Sequence, residues 1–371
     1  MPLQGDVIHS IAKEGPSSRY RSRNRVDDRE WIPLNGNQRL VRTSERSAFK
    51  KCRWMWDLSF NQGLRQRRDG PALRFGSLIH EAMAEYYVKG RKRKPKVLVP
   101  AFIKAYERDV SQAGEFVVYG EDGNIEEGEA WQNARDLGIE MLEMYIEHYG
   151  VDKGWEVLAT EQPFQVPVYN PRTGGYMFTY TGILDLIMRE IQHDRIWIWD
   201  HKTTGSINVR ALGLNEQFGS YWTFGTEWIK EQGLLSNRQF DDLSGLMVNY
   251  IRRARRDDRP HNALGQALNK DGSVSKRQQA DVFHREPTFR TLEDRERVKR
   301  RAMNDFREME MVRAGNLAAD KSPSIFNCPS CPWLDACELH ETGSDWKRFI
   351  DATTEKYDPY EVHEIEDAEK R

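Results

Sequence analysis

The sequence predicts an α/β protein in which a mixed central β-sheet is flanked by helices. Apolar side chains recur at helical spacing within residues 43–150. Short apolar stretches follow from residue 155 onward, and Gly174–Gly175 separates two of them as a hairpin turn would. Helices, antiparallel strands, a crossover helix, more strands and a last helix form the order expected of an α/β sandwich.

The first predicted elements are helices. Thr43 or Ser44 can cap a helix that extends to about Trp56. In the segment 76–89, leucine, isoleucine, methionine and tyrosine side chains recur every three or four residues, which predicts a second helix. Two further helices are predicted at 99–113 and 128–149.

The second half of the chain predicts the strands of the sheet. The segment 195–201, RIWIWDH, carries apolar residues on both faces, which is typical of a central strand covered on both sides. The other predicted strands lie at 155–168, 177–189, about 246–251 and about 280–285, with helices at about 208–231 and 291–313.

These elements divide the chain into five expected segments. They are a flexible basic arm at 1–42, a helical part at 43–150, a sheet-containing core at 151–320, a cysteine loop at 321–345 and an acidic tail at 346–371.

The charge of the 371-residue chain sums to −2, so overall charge selects no partner. Its basic residues are clustered, and such clusters either bind phosphates or are ordinary solvated faces. They lie at Arg19–Arg25, Arg91–Lys96, Arg252–Arg256 and Arg297–Arg301. No apolar run is long enough to span a membrane and no secretory signal is visible, so we expect a cytoplasmic protein.

Acidic residues stand in two of the apolar strands. Asp200 and Lys202 are two positions apart, so their side chains share one face of their strand. Asp185 lies in the apolar segment GILDLIM of the preceding strand. Two such carboxylates could share one Mg²⁺ or Mn²⁺ ion, because hard cations prefer oxygen ligands. The alternative is a buried Asp–Lys ion pair, with Asp185 capping a nearby turn.

A shared cation would suit phosphodiester hydrolysis. Asp185 and Asp200 would hold the metal, and the backbone carbonyl of His201 could complete the site. Lys202 would stabilise charge on the phosphate in the transition state.

Four motifs resemble those of the RecB-like PD-(D/E)XK nucleases. They are Gly76-x-x-x-His80, Gly182-x-x-Asp185, Asp200-x-Lys202 followed by Thr203 and Thr204, and Gln217-x-x-x-Tyr221, in the family's order. The resemblance implies a restriction-endonuclease-like nuclease core at 151–320. It also implies that His80 is a third metal ligand and that Gln217 and Tyr221 shape the site or contact DNA. From the residues alone, His80 fits a packed core histidine, and Gln217 and Tyr221 fit an amphipathic helix. Glu161, on the preceding strand, is a weaker candidate for the same site.

The chain has four cysteines, Cys52 and the group Cys328-x2-Cys331-x5-Cys337. Three close thiolates and one distant one suit a cubane iron–sulfur cluster better than the paired ligands of structural zinc, which remains the alternative. The spacing resembles that of RecB-like nucleases with an iron–sulfur staple, including the CRISPR-associated adaptation exonuclease family and the AddB nuclease domain. The resemblance implies a 4Fe-4S cluster that ties distant segments together.

The combined resemblance implies a metal-dependent DNA exonuclease that acts on single-stranded ends in recombination, repair or phage DNA metabolism. A structure-specific endonuclease and a non-catalytic DNA-binding module of a larger recombination complex are the alternatives. No G-x4-G-K-[ST] phosphate loop occurs, so a helicase or recombination protein would have to be a separate partner.

Overall fold

The computed structural model describes residues 39–67, 71–113, 125–231, 233, 235 and 243–361. Most of the expected basic arm, including the Arg19–Arg25 cluster, and the end of the expected acidic tail lie outside the described residues.

The helices predicted at 43–56, 76–89, 99–113, 128–149 and 291–313 lie close to their predicted positions, whereas the last two helices were not predicted. The helices are α1 (Thr43–Lys51), α2 (Arg53–Trp56), α3 (Pro71–Tyr86), α4 (Pro95–Ala113), α5 (Ile125–Tyr149), α6 (Glu216–Ser220), α7 (Thr226–Glu231), α8 (Leu292–Arg313), α9 (Leu334–Glu341) and α10 (Trp346–Thr353). Among these helices, none is both long enough and apolar enough to cross a bilayer.

The strands form one mixed six-stranded sheet and a separate two-stranded ribbon. They are β1 (Leu40–Val41), β2 (Leu64–Gln66), β3 (Trp155–Tyr169), β4 (Tyr176–Glu190), β5 (Arg195–Thr204), β6 (Leu243–Arg252), β7 (Phe283–Thr288) and β8 (Thr354–Lys356). The predicted mixed sheet flanked by helices is therefore confirmed.

The edges of β4 are divided between three partners. β3 pairs antiparallel along one edge, whereas β1 and β5 share the other. β1 pairs at Thr179–Tyr180 and β5 pairs only from Leu186 to Glu190. Residues 181–185 of β4 lie between these two ladders, so the sheet opens there.

Each face of the sheet buries its own apolar core. Ile196 and Ile198 of β5 pack with α6, α7 and α8 on one face. Trp197 and Trp199 point to the other face and pack with α3, α4 and α5. The alternation of side chains along a strand produces this division, and it covers β5 on both sides as the sequence predicts.

Two predicted helices begin or break at different residues. The helix expected from Asn208 starts only at Glu216, because the Asn215 side chain accepts hydrogen bonds from the N–H groups of Gln217 and Phe218 and caps the helix there. The first helix is interrupted at Cys52, whose backbone is extended. It restarts as α2, where the Trp54 N–H donates to the Asp320 carbonyl at 3.3 Å.

Both ends of the described chain are more ordered than the sequence indicates. Leu40–Val41, which we assigned to the arm, pairs in the central sheet. The beginning of the expected acidic tail forms α10 and β8, and β8 pairs antiparallel with β2. The C-terminal segment thereby closes onto residues that follow Cys52.

Two motif glycines differ in the space around them, which predicts opposite effects of alanine. A Cβ atom at Gly182 would lie 2.6 Å from the buried Phe164 ring, whereas one at Gly76 would meet nothing within 4 Å. We expect Gly182→Ala to lower the free energy of unfolding by about 1–3 kcal/mol through overpacking. Gly76→Ala should raise it by about 0.5–1 kcal/mol, because alanine stabilises a helix. Denaturant unfolding measures both values, and equal shifts of the same sign would contradict this packing.

Candidate active site

The two predicted aspartates face each other across the opening between β4 and β5. The regular pairing of these strands ends at Leu186 and Trp199. Continued by one residue, the register places Asp185 opposite Asp200, so both side chains leave the same face of the sheet. Both are buried, at 7% and 1% exposure. The His201 backbone N–H donates to Asp185 Oδ2 at 2.8 Å, so this carboxylate accepts a hydrogen bond where the ladder has ended.

Lys202 lies beside the pair. Its Nζ is 2.9 Å from Asp200 Oδ2, and it donates to Asp200 Oδ1 at 3.2 Å and to Gln217 Oε1 at 2.8 Å. The contact with Oδ2 is an ion pair without hydrogen-bond geometry, so within the described residues Oδ2 has no hydrogen-bond donor. The ammonium group is therefore held between the carboxylate and a side chain of the facing helix.

Gln217 connects the facing helix to the aspartates. Its Nε2 donates to Asp200 Oδ1 at 3.1 Å and to the Tyr221 hydroxyl at 2.7 Å, while its Oε1 accepts from Lys202. The Asn215 cap places Gln217 in the first turn of α6, at the end of the sheet. Tyr221 is buried, and burial raises its pKa well above the usual range, so its hydroxyl stays protonated. Both residues of the motif thus lie at the site.

His80 approaches from the other layer of helices. It lies on α3, and its Nδ1 is 3.3 Å from Asp185 Oδ2. About a third of the side chain is exposed, so it lies at the mouth of the site. His80 is therefore partly exposed and contacts a site carboxylate, and its role as a metal ligand stays a prediction.

The His201 ring lies on the opposite face of the sheet from Asp200. Burial lowers its pKa well below the usual value, so the ring is neutral. Asn249 Nδ2 lies 2.8 Å from His201 Nδ1, which leaves the proton on Nε2. Within the described chain that Nε2 atom is buried and has no hydrogen-bond partner.

A buried polar network extends from Asn249 and was not predicted. Asn249 Nδ2 lies 3.1 Å from the Tyr145 hydroxyl, and Arg285 donates to that hydroxyl at 3.1 Å. Arg285 also forms a bidentate ion pair with Asp152 at 2.8 and 2.6 Å. The available signal was the asparagine inside the apolar strand LMVNYI, since a buried amide requires partners.

Glu161, the weaker candidate, is a third acid near Asp185 and Asp200. Its backbone has a φ of 46°, a left-handed conformation that is uncommon for glutamate. The residue remains exposed, but the surrounding protein shields its carboxyl from water. This shielding, with smaller contributions from the charges of Asp185 and Asp200, raises its pKa to about 8.

The acids repel one another when ionised. Burial first, and then the charge of Asp200, raises the pKa of Asp185 to about 6. His80, Lys202 and the His201 N–H act in the opposite direction but do not cancel this effect. A cation bound between the carboxylates would remove the repulsion, so the electrostatics of the site favour one.

The donor set suits Mg²⁺ or Mn²⁺, although the side chains are not arranged for coordination. Among the described residues, no group of three or more His, Cys, Asp or Glu side chains has the geometry to hold a metal ion. Lys202 and Gln217 contact Asp200, and His80 contacts Asp185, where an ion would otherwise bind. Carboxylate and carbonyl oxygens with one imidazole are nevertheless the ligands of such ions, and a buried carboxylate oxygen without a hydrogen bond is available.

The sequence profile of the PD-(D/E)XK nuclease superfamily matches residues 43–338. The chain belongs to this superfamily. Membership indicates a metal-dependent nuclease, a phosphodiester hydrolase with DNA as its substrate, and members typically use Mg²⁺ or Mn²⁺. No curated protein matches the sequence.

The four cysteines lie near one another beside the junction of α1 and α2, where Cys52 stands. Cys52, Cys331 and Cys337 pack around Trp54 and Trp333. All four cysteines are free and half-buried. Burial raises the pKa of the Cys331 thiol, and Cys52, Cys328 and Cys337 each raise it further, which requires all of them to be near. In the part of the chain that the structure describes, these thiols are not arranged as a group of three or more that could hold a metal ion.

Several side chains in the three described basic clusters have protein partners. Arg93 donates to backbone carbonyls of Val151, Asp152 and Trp155. In the third cluster, Arg256 forms a bidentate pair with Glu147 at 2.8 Å. In the fourth cluster, Arg297, Lys299 and Arg301 pair with acids on α6–α8. The interpretation of these clusters as ordinary protein surface therefore holds for these residues.

The raised pKa of Asp185 predicts that Asp185→Asn stabilises the metal-free protein at alkaline pH. The folded pKa of about 6 exceeds the ordinary value of 3.8, so ionisation costs stability as pH rises between these values. Asparagine removes that cost, on the order of 1–3 kcal/mol, and can still accept the His201 N–H bond. With EDTA, we expect a higher Tm than wild type at pH 8 and no gain below about pH 4.

The exposed Asp136→Asn, on α5, is the matched control and should show no such gain. Added Mg²⁺ should raise the Tm of the wild type at pH 8 but not that of Asp185→Asn. A wild type that is more stable than Asp185→Asn at pH 8 in EDTA would contradict the electrostatics described.

Proposed function

We propose that the chain is a metal-dependent DNA exonuclease that removes nucleotides from single-stranded ends. The observation that carries the proposal is the cluster of Asp185, Asp200 and Lys202 at the opening of the sheet, with Gln217 locking the lysine in place. A structural ion pair would need only Asp200 and Lys202. It would not need a second buried acid whose charge opposes the first.

The roles of the residues follow from their charges and positions. Mg²⁺ or Mn²⁺ would be held by Asp185, Asp200, His80 and the His201 carbonyl, and would supply an activated water and neutralise phosphate charge. Lys202 leaves its ion pair and donates to a non-bridging phosphate oxygen, which stabilises the charge that develops there. Gln217 keeps the lysine directed at the site, and Tyr221 orients Gln217 through its hydroxyl.

The proposed preference for DNA ends and for single strands is supported only by the resemblance to the RecB-like nucleases. So are the proposed cellular roles in recombination, repair or phage DNA metabolism, and a partnership with a helicase or recombination protein. The structure-specific endonuclease and the non-catalytic DNA-binding module are separate outcomes of the first test below.

We also propose that Cys52, Cys328, Cys331 and Cys337 bind a 4Fe-4S cluster, with structural zinc as the alternative. The support is the convergence of four free thiols around Cys331, together with their spacing in the sequence. Lys321 lies among them and donates to the Cys337 carbonyl at 3.1 Å, so a nearby cation would favour thiolates. The cluster would join the chain before the sheet to the chain after it and so limit the unfolded ensemble.

The nuclease proposal predicts that Asp200→Asn abolishes cleavage and preserves binding. We expect purified wild type with Mg²⁺ or Mn²⁺ to shorten linear single-stranded DNA from its end and to leave circular single strands intact. Asp200→Asn should lower the rate by roughly a thousandfold or more, because it removes a negative metal ligand. Asp136→Asn should cleave at the wild-type rate.

Two results would overturn parts of this proposal. Cleavage of the circles would identify an endonuclease. Binding of DNA without cleavage by the wild type, and with no change in Asp200→Asn, would identify a binding module.

The cluster proposal predicts a brown protein when it is purified without oxygen. We expect absorbance at about 400 nm and bound iron and sulfide, and Cys331→Ser should lose both together with thermal stability. Ser330→Ala, on an exposed neighbour of Cys331, should retain them. A colourless wild type with one zinc ion per chain would establish the zinc alternative and exclude the iron–sulfur cluster.

A further inference from the structure

The segment between β6 and β7, residues 253–282, leaves the sheet beside the candidate active site. β6 runs parallel to β5, with Lys202 paired to Tyr250 and Thr204 to Arg252. The ends of parallel neighbours lie at the same edge of a sheet, so the segment begins three positions beyond the level of Lys202. The Arg253 N–H donates to the Thr204 carbonyl at 2.7 Å and fixes this exit point.

This segment is anchored firmly at its base. Arg255 pairs with Glu140 at 3.0 Å, and Arg256 pairs with Glu147, so two arginines bind the segment to α5. Arg252 donates to the backbone carbonyls of Ala280 and Asp281, which joins its two ends. The Arg252–Arg256 cluster, which the sequence offers as a phosphate-binding patch, is therefore largely an anchor.

Polar contacts also order the segment beyond its base. Two isolated bridges, His261 with Ala267 and Leu268 with Val274, form successive tight turns. The Arg259 guanidinium bonds to Asp257, Ser275 and the Arg277 carbonyl. The segment is an ordered projection with almost no apolar core of its own.

The projection carries cations without a partner among the described residues and an exposed apolar side chain at its tip. Within the described residues, the side-chain charges of Lys270, Lys276 and Arg277 have no ion-pair or hydrogen-bond partner, and all three residues are exposed. Leu264 lies at the first turn and is 82% exposed. Cations without a protein partner can pair with the phosphates of a DNA backbone, and an exposed leucine can pack against the face of an unpaired base.

We propose that residues 253–282 form a guide that binds the single-stranded DNA immediately outside the active site. Lys270, Lys276 and Arg277 contact successive phosphates, and Leu264 packs against a base. The proposal rests on the proposed nuclease function for its substrate, but the binding surface is separate from the catalytic residues.

The test is binding of a fluorescent single-stranded oligonucleotide in EDTA, measured by anisotropy over a range of salt concentrations. We expect the triple variant Lys270→Gln, Lys276→Gln, Arg277→Gln to weaken binding at least about tenfold at moderate salt. The slope of log Kd against log salt should become shallower by about 2, since each lost phosphate contact removes about 0.7.

Leu264→Ser gives an independent signature. It should weaken binding about tenfold and leave the salt slope unchanged, because an apolar contact releases no counterions. The control replaces Lys92 and Lys94 with glutamine. These exposed lysines flank Arg93, which bonds where β3 begins, at the sheet end away from Lys202.

The guide is overturned if the triple variant keeps the wild-type slope and affinity, or if the control variant shows the same loss. Because binding is measured without metal, this outcome does not depend on cleavage. A protein that does not cleave DNA can still show the expected binding losses, which would support the guide. A protein that cleaves normally can still bind DNA unchanged in the triple variant, which would exclude the guide.

Discussion

Two carboxylates on neighbouring strands repel each other when both are ionised, and the sheet around Asp185 and Asp200 prevents them from separating. The His201 N–H holds the first, and Lys202 with Gln217 holds the second. Burial first, and then the charge of Asp200, raises the pKa of Asp185, so both effects disfavour its ionised form. The other residues of the candidate site hold these two carboxylates close together, in an arrangement that a bound cation would stabilise.

The supports come from both layers of helices. On one face, the Asn215 cap begins α6 at the residue that brings Gln217 to Lys202. On the other face, Asn249 holds the His201 ring, and Arg285 and Asp152 complete a buried network behind it. This network fixes the peptide that links Asp200 to His201, so the position of the acid depends on packing on the face opposite its own side chain. The division of the β4 edge between β1 and β5 leaves the opening in which the acids lie.

The sequence predicted those parts of the site that depend on local periodicity. Asp200 and Lys202 share a face because side chains alternate along a strand, and the family motifs identified His80 and Gln217. Asn249 was missed as a site residue because its partners, Tyr145 and Arg285, are far away in the sequence. The start of α6 was misplaced because an apolar pattern does not reveal which asparagine acts as the cap. The β2–β8 ribbon could not be predicted, since short polar strands carry no strong pattern and pair only when the chain ends meet.

The central claim is that Asp185 and Asp200 bind one divalent ion between them. Its most direct test is a crystal grown with Mn²⁺ and measured at a wavelength where manganese scatters anomalously. We expect an anomalous peak within about 2.0–2.3 Å of an oxygen from each carboxylate. We also expect Lys202 Nζ to have moved away from Asp200 Oδ2, which lies 2.9 Å from it in the structure. Crystals with Mn²⁺ at saturating concentration, no peak between the two acids and an intact Lys202–Asp200 ion pair would contradict the claim.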